Sequence, residues 1–214
     1  MVFAKGEDAI GAVGTGFSKV YAARYGTVEV TTANNVTTKT IHYSGGMRIA
    51  RGVGVDLSVE AGDSNDWYAD NVVSESDGGT FQSGTLTYTL DDPFQEAEAL
   101  LHAREAAETI NGISVVGSGG ESTDGYLGTG YVREYKCNGQ KIYRAIILPK
   151  VKFQERGDSA QTREGTVSYQ TVTETAAISR DDTDKQRWCY KGENFYTTEA
   201  EAEAEVKTFL NIAS

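Results

Sequence analysis

The sequence predicts a mainly β protein with some helix, including a C-terminal helix. Three observations predict it. The composition combines 24 glycines and 12 tyrosines with only two prolines, which favours strands and tight turns over long helices. Apolar and polar residues alternate at Val53, Val55, Leu57 and Val59, and again at Leu86, Tyr88 and Leu90, as in strands with one buried face. Two segments, near Asp92-Pro93 and Thr198-Glu199, carry the residue types that start helices.

With 214 residues and 39% hydrophobic content, the chain suits a single domain over 17–214. Residues 1–16 are rich in glycine and alanine and have no sustained period, so they are expected to form a flexible N-terminal arm or to be an expression remnant. Residues 19–24 and 27–31 read as two short strands around Tyr25-Gly26. The polar run 31–38, which contains Asn34, Asn35, Val36 and Thr37, reads as a long exposed loop because it offers little to bury. Asp92, Pro93 and Gln95 form a cap-like start for a helix expected to reach about Ile110, with Phe94, Ala97 and Leu101 inward. Asn111-Gly112 then supplies residue types able to adopt a left-handed stop.

Residues 117–130 read as a glycine-rich loop before a strand over 131–137. Asn138-Gly139 is a strong two-residue hairpin signal, and such a turn fixes the register. Cys137 then faces Gln140, Tyr135 faces Ile142, Arg133 faces Arg144 and Tyr131 faces Ile146. The two opposed arginines either take an acidic group from a neighbouring subunit or splay into water. Ile146, Ile147 and Leu148 are apolar on both faces, as in a central strand that runs on to Val151 and Phe153. Residues 165–178 read as another long strand. Thr198 and Glu201 have capping-box spacing, and Ala202, Val206, Phe209 and Leu210 follow at helical intervals. Glu199, Glu201, Glu203 and Glu205 read as the solvated face of that helix.

Charge and cysteine usage limit the function classes. A net charge of −11 repels a phosphate backbone, so tight nucleic-acid binding is not expected. Cys137 and Cys189 are far apart and lack Cys-x-x-Cys spacing, so neither zinc nor a disulfide framework is signalled. The first residues lack the basic and apolar pattern of a signal peptide and no segment has the length of a membrane span, so cytoplasmic synthesis is the expectation. The Gly11–Gly16 glycine run lacks the following Lys-Ser/Thr of a phosphate loop, and the 63–67 run lacks the ligands of a calcium loop. His42 and His102 are expected to be solvated, and the neighbouring pair Asp91-Asp92 to cap the helix. No catalytic residue, cofactor or metal is predicted.

Several segments together resemble a known family. They are Phe17-Ser18-Lys19, Ser44-Gly45-Gly46, the aromatic segment from Asn65 to Asn71, Ser83-Gly84-Thr85-Leu86, Tyr143-Arg144-Ala145, the run from Leu148 to Phe153, Tyr169-Gln170-Thr171 and the acidic last helix. This set is similar to the major tail proteins of bacteriophages with long, non-contractile tails. The resemblance implies a β-sandwich or half-barrel flanked by a helix, and a subunit that forms hexameric rings stacked as a tail tube, assembled in the host cytoplasm and located in the virion tail. It implies as partners the chain itself, the tape measure and tail-tip proteins, and DNA that passes without specific binding. Open strand edges and the polar 31–38 run fit such a role, since a ring covers edges that a monomer leaves open. The expected inter-subunit contacts are Asn34, Asn35, Val36 and Thr37, the pair Trp67 and Tyr68, and Arg133 with Arg144. Two other readings fit the same composition: a receptor- or carbohydrate-binding β-sandwich, and a connector or terminator that stops at one ring.

Overall fold

The computed structural model describes residues 2–4, 10–33, 36–62, 65–69, 72–77, 80–104, 107–117, 125–158 and 170–213. In chain order the strands are β1 (Val2–Ala4), β2 (Val13–Ala33), β3 (Val36–Ala50), β4 (Gly52–Ala61), β5 (Asn65–Ala69), β6 (Val72–Asp77) and β7 (Phe81–Leu90). Helix α1 (Gln95–Leu101) follows, then β8 (Glu108–Ile110), β9 (Ile113–Val115), β10 (Leu127–Cys137), β11 (Gln140–Phe153) and β12 (Val172–Ser179). The short strands β13 (Tyr190–Lys191) and β14 (Phe195–Tyr196) precede the C-terminal helix α2 (Glu199–Phe209). Among the described residues the fold is thus mixed, dominated by one large antiparallel sheet with two helices.

The sheet runs β3-β2-β10-β11-β12-β7-β4. β13 and β14 add to β11, and β1 pairs with β14. Although β3 and β4 end this path on opposite sides, a single residue, Arg51, joins them. The sheet therefore bends back on itself. Asp91 secures that corner: the Arg51 backbone N–H donates to its Oδ1 at 2.6 Å, Arg51 Nε donates to its Oδ2 at 2.5 Å, and the Asp91 N–H donates to the Arg51 carbonyl at 3.0 Å.

Bending encloses one face of the sheet. Val20 and Ile49, Leu86, Tyr88 and Leu90, Leu127, Leu148, Val151 and Ala176 meet there, and α1 adds Ala97, Leu100 and Leu101. The other face packs against α2 through Tyr21, Ala23, Tyr43, Val132, Ala145 and Ile147 against Ala202, Val206 and Leu210. Glycine allows this second contact to be close. A Cβ at Gly128 would sit 2.3 Å from a Tyr43 ring carbon, and one at Gly130 would sit 2.8 Å from Val206.

The hairpin over Asn138-Gly139 has the expected register at all four pairs, with φ of 48° and 82° at the turn. Leu86, Tyr88 and Leu90 are buried as expected, and β11 is buried on both faces at Ile146, Ile147 and Leu148. Thr198 stands at the N-cap of α2, and Ala202, Val206 and Leu210 are fully buried.

Other elements differ from expectation. β2 is one continuous strand from Val13, and an irregularity between Tyr25 and Val28 replaces the expected break. The start of β2 and the pairing of β1 lie within the segment expected to be an arm, and Gly14 and Gly16 belong to β2. The 31–38 run is the end of a hairpin: Thr31 pairs with Thr38, Thr32 with Thr37 and Ala33 with Val36. Threonine suits extended backbone on a solvated ribbon, so its polarity did not prevent pairing.

α1 ends at Leu101, well short of Ile110, because Ala103 turns left-handed at φ 49°. Phe94 is its N-cap and 51% exposed, and Asp92 makes no cap. Asn111 and Gly112, at φ 52° and 81°, make the turn of the β8–β9 hairpin. The same left-handed preference serves a hairpin where a helix stop was expected. β10 begins at Leu127, inside the expected 117–130 loop, with strand glycines under α2. β12 is described over Val172–Ser179, and residues 165–169 lie outside the described set. Among the glutamates of α2 none is fully exposed; Ala200, Ala204 and Thr208 take the outer positions.

Candidate functional site: exposed strand surfaces and a buried ionic cluster

The β2–β3 hairpin leaves the sheet beyond Tyr25. Along residues 27–32 and 37–42 both strands are exposed or half-buried on both faces, so it projects as a two-stranded ribbon. Thr32 and Thr37 hydroxyls meet across it at 3.2 Å, and His42 Nε2 lies 2.7 Å from Glu29. Its base is tied to the loop after β12. Tyr25 Oη donates to Asp182 at 3.0 Å, Lys150 Nζ donates to both Asp182 oxygens at 2.9 and 2.8 Å, and Lys39 pairs with Asp184 at 3.0 Å. Lys150 also sits over the rings of Tyr25 and Tyr126. Its ammonium holds the Asp182 carboxyl below the usual range, while burial, reinforced by Asp182, pushes the Tyr25 hydroxyl up to about 12.

That loop is itself anchored by buried Asp181. Its carboxylate accepts from the Thr183 N–H and hydroxyl, the Arg187 N–H and Tyr190 Oη. Four donors satisfy an otherwise costly buried charge, so the hairpin springs from a fixed base.

A slot of about 470 Å³ opens between the start of β2 and β4. Phe17, Val55, Leu57, Tyr131 and Ile146 give it apolar walls, and Arg133, Lys191 and Asp56 give it charge. Among the described residues, no strand pairs with the outer edge of β3 or of β4, and β3 leaves β2 unpaired on that side before Val20. Open edges of this kind are templates for pairing.

The expected contact residues fall in different places. Asn34 and Asn35 lie outside the described residues; Val36 and Thr37 belong to β3, with Thr37 exposed. Trp67 and Tyr68 belong to β5, paired with Glu75 and Val73 of β6 in a small separate sheet, and their side chains lie outside the described set. Arg133 and Arg144 face each other in register but diverge. Arg133 stacks on Tyr135 and lines the slot, whereas Arg144 lies over the Phe195 ring and donates to the Gly192 carbonyl of its own chain.

A second polar constellation lies beneath α1. His102, at its C-terminus, is buried with its Nε2 3.3 Å from Glu174 Oε2, and both side chains are fully covered. Arg156 Nε lies 3.0 Å from Glu174 Oε1 and its Nη2 3.3 Å from Glu98. Arg104 reaches Glu98 and Glu155, both at 3.1 Å, and Glu155 lies 3.9 Å from His102 Nδ1. The expectation of a solvated His102 is corrected, because α1 stops at this residue and turns it inward; His42 is exposed as expected. Fully covered groups of this kind bind no substrate without opening, and Arg156, which reaches Glu98 of α1 and Glu174 of β12, ties the helix to that strand.

Sequence reading also missed Phe17, Tyr131 and Lys191 of the slot, and Lys150 and Asp182 at the hairpin base. Each gains its role only from partners distant in sequence. Among the described residues no group of three or more histidine, cysteine or acidic side chains is placed to hold a metal ion. No described helix is long and apolar enough to cross a membrane. No protein-family model matches the chain, and no curated protein matches it.

Proposed function

We propose that this protein is a structural subunit that polymerises through its strand surfaces into rings stacked as the tail tube of a long-tailed bacteriophage. The observation that carries the reading is the β2–β3 ribbon, exposed or half-buried on both faces yet braced at its base by Asp182, Lys150 and Asp184. An isolated two-stranded ribbon is marginal in water, and a fixed base suits one that pairs with neighbours. The bent sheet with two unpaired edges reads as a half-barrel, which edge-to-edge contact in a ring completes. Six copies, each carrying −11, surround a lumen through which DNA slides without binding. The tape measure and tail-tip proteins are the expected partners, assembly takes place in the host cytoplasm, and no catalytic role is assigned.

Electron microscopy and sedimentation across a concentration series test this reading. Rings or tubes are expected; a protein that stays monomeric both alone and with tail-tip components refutes it. Excising Thr31, Thr32, Thr37 and Thr38 shortens the ribbon by two pairs, touches neither core and is expected to abolish tubes while leaving the thermal transition in place. Single rings that never stack would favour a connector or terminator.

One observation favours a binding module as the second reading. A groove of about 530 Å³ between α2 and the β13–β14 turn is walled by Tyr190, Tyr196 and Phe209 beside Glu201 and Glu205. Rings flanked by carboxylates suit a sugar face and its hydroxyls. Glycan binding by a chain that never polymerises would establish that reading over the first.

A further inference from the structure

The two flanks of α2 each carry a glutamate beside a tyrosine, and they are completed differently. On one, Tyr21 donates to Glu203, and Lys19 and Lys207 approach the same carboxylate at 3.3 and 3.0 Å. On the other, Glu205 lies against Gly192, so close that a Cβ there would sit 2.6 Å from Oε2. That oxygen is buried without a hydrogen-bond partner. Burial pushes the Glu205 carboxyl above its usual range, and the Tyr196 hydroxyl and the charge of Arg144 only partly oppose it. Arg144 itself donates to the Gly192 carbonyl. Glu203 is thus matched by cations, whereas Glu205 carries a charge that its surroundings disfavour.

Glu205 stands in the groove of about 530 Å³ between α2 and the β13–β14 turn. The walls are mostly apolar: the rings of Tyr190 and Phe209 lie 5.1 Å apart, and Tyr196 and Ile147 add to them. Three features select an occupant. Aromatic and aliphatic walls favour a cation on a hydrocarbon stem over a hydrated metal ion, which needs a shell of oxygens. With Oε2 covered, the carboxylate turns at most one oxygen to the groove, which suits the point charge of an ammonium better than the two-pronged fork of a guanidinium. The groove also follows α2 from Glu201 to Thr208, a rise of about 10 Å, which leaves room for the chain that carries the stem.

We propose that this groove takes the lysine side chain of an extended segment of a partner protein, with its methylenes along Tyr196 and Phe209 and its ammonium beside Glu205. The site supplies on this flank of α2 the cation that Lys19 and Lys207 supply on the other. It does not depend on self-assembly, and it assigns the groove a ligand chemistry different from a sugar.

Titration of the isotope-labelled full-length protein, followed by NMR, provides the test. The probes are a capped Gly-Lys-Gly peptide and its norleucine counterpart, which keeps the stem and lacks the charge. Amide shifts over residues 190–196 and 201–209 are expected with the lysine peptide, at an affinity at least about tenfold above the norleucine peptide. Glu205→Gln keeps the shape and removes a charge that burial disfavours, so it is expected to keep the wild-type thermal transition and to lose that tenfold preference. Wild-type affinity should also fall as pH is lowered and Glu205 takes up a proton, starting above the pH at which an ordinary carboxyl titrates. Equal affinity for the lysine and norleucine peptides, or an E205Q variant that keeps the preference, would overturn the site. Free butylammonium binding as tightly as the peptide would overturn the protein partner, and an arginine peptide binding as tightly would overturn the choice of lysine. A glycan that shifts these amides where the lysine peptide does not would overturn the proposal in favour of the second reading above. All of these outcomes leave the assembly reading as it stands.

Discussion

The two helices begin from similar sequence signals and are held in opposite ways. α2 lies on an apolar bed, with Ala202, Val206 and Leu210 fully buried over strand glycines at 128 and 130. α1 buries Ala97, Leu100 and Leu101 but ends over charge: His102 and Glu174 are fully covered, with Arg156, Arg104, Glu98 and Glu155 around them. Helix length follows what covers the helix more than how it is capped. The face of α2 continues to meet apolar sheet for three turns, whereas α1 runs out of apolar cover after two and turns away at Ala103.

The largest expected effect breaks the ionic side of this comparison. Glu174→Ala removes the fully covered carboxylate that lies 3.0 Å from Arg156 and 3.3 Å from His102, and breaking a buried pair costs roughly 3–5 kcal/mol. Urea unfolding measures it. A cost under about 1 kcal/mol would show that water replaces the carboxylate and that the cluster does not hold α1. On the apolar side, Leu210→Ala removes a fully buried side chain packed under Tyr43 and Gly128, with an expected loss of about 2–5 kcal/mol in the same assay.

A smaller effect lies on the flank of α2. Burial disfavours the Glu203 carboxylate, but hydrogen bonds from Tyr21, Lys207 and Lys19 outweigh it and hold the group at about 2. A carboxylate with a folded pKa below its unfolded value of about 4.3 stabilises the fold above that value, and the contribution disappears as pH falls towards about 2. Partial solvent screening leaves an expected share of about 1–2 kcal/mol. Wild type and Glu203→Gln should therefore differ most near neutral pH and converge between about pH 4 and 2, as read by unfolding at each pH. Parallel curves through that window would remove Glu203 from the contacts that hold α2 on the sheet.

Sequence made local features legible and distant ones invisible. The Asn138-Gly139 hairpin and its register follow from two residues, and the alternation at Leu86, Tyr88 and Leu90 from one strand. By contrast, His102 and Glu174 are 72 positions apart, and the slot draws on β2, β4, β10, β11 and β13, so no window of sequence contains either. Asn111-Gly112 shows a different limit. Its left-handed preference was readable, but a helix stop and a hairpin turn require the same backbone, and only the length of α1 decides between them. Of the expected contact residues, Thr37 and Arg133 occupy exposed places on the ribbon and the slot, whereas Arg144 is engaged by Gly192 within its own chain. Register placed the two arginines opposite each other; the packing of the β13–β14 turn, which the hairpin pattern does not encode, separated them.

The smallest effect concerns the capping box at the start of α2. Thr198 stands at the N-cap of α2, but its hydroxyl donates to the Glu201 carboxylate at 2.7 Å and makes no hydrogen bond to a backbone amide. Loss of a bonded threonine cap costs about 0.5–2 kcal/mol, mostly because a helix amide is left without its partner. Here no such amide is lost. Thr198→Ala is therefore expected to cost under about 0.5 kcal/mol, with the acidic first turn still favouring the helix start. A loss above 1 kcal/mol, measured by urea unfolding, would mean that the hydroxyl turns to the backbone in solution and that capping contributes to α2 alongside its apolar bed.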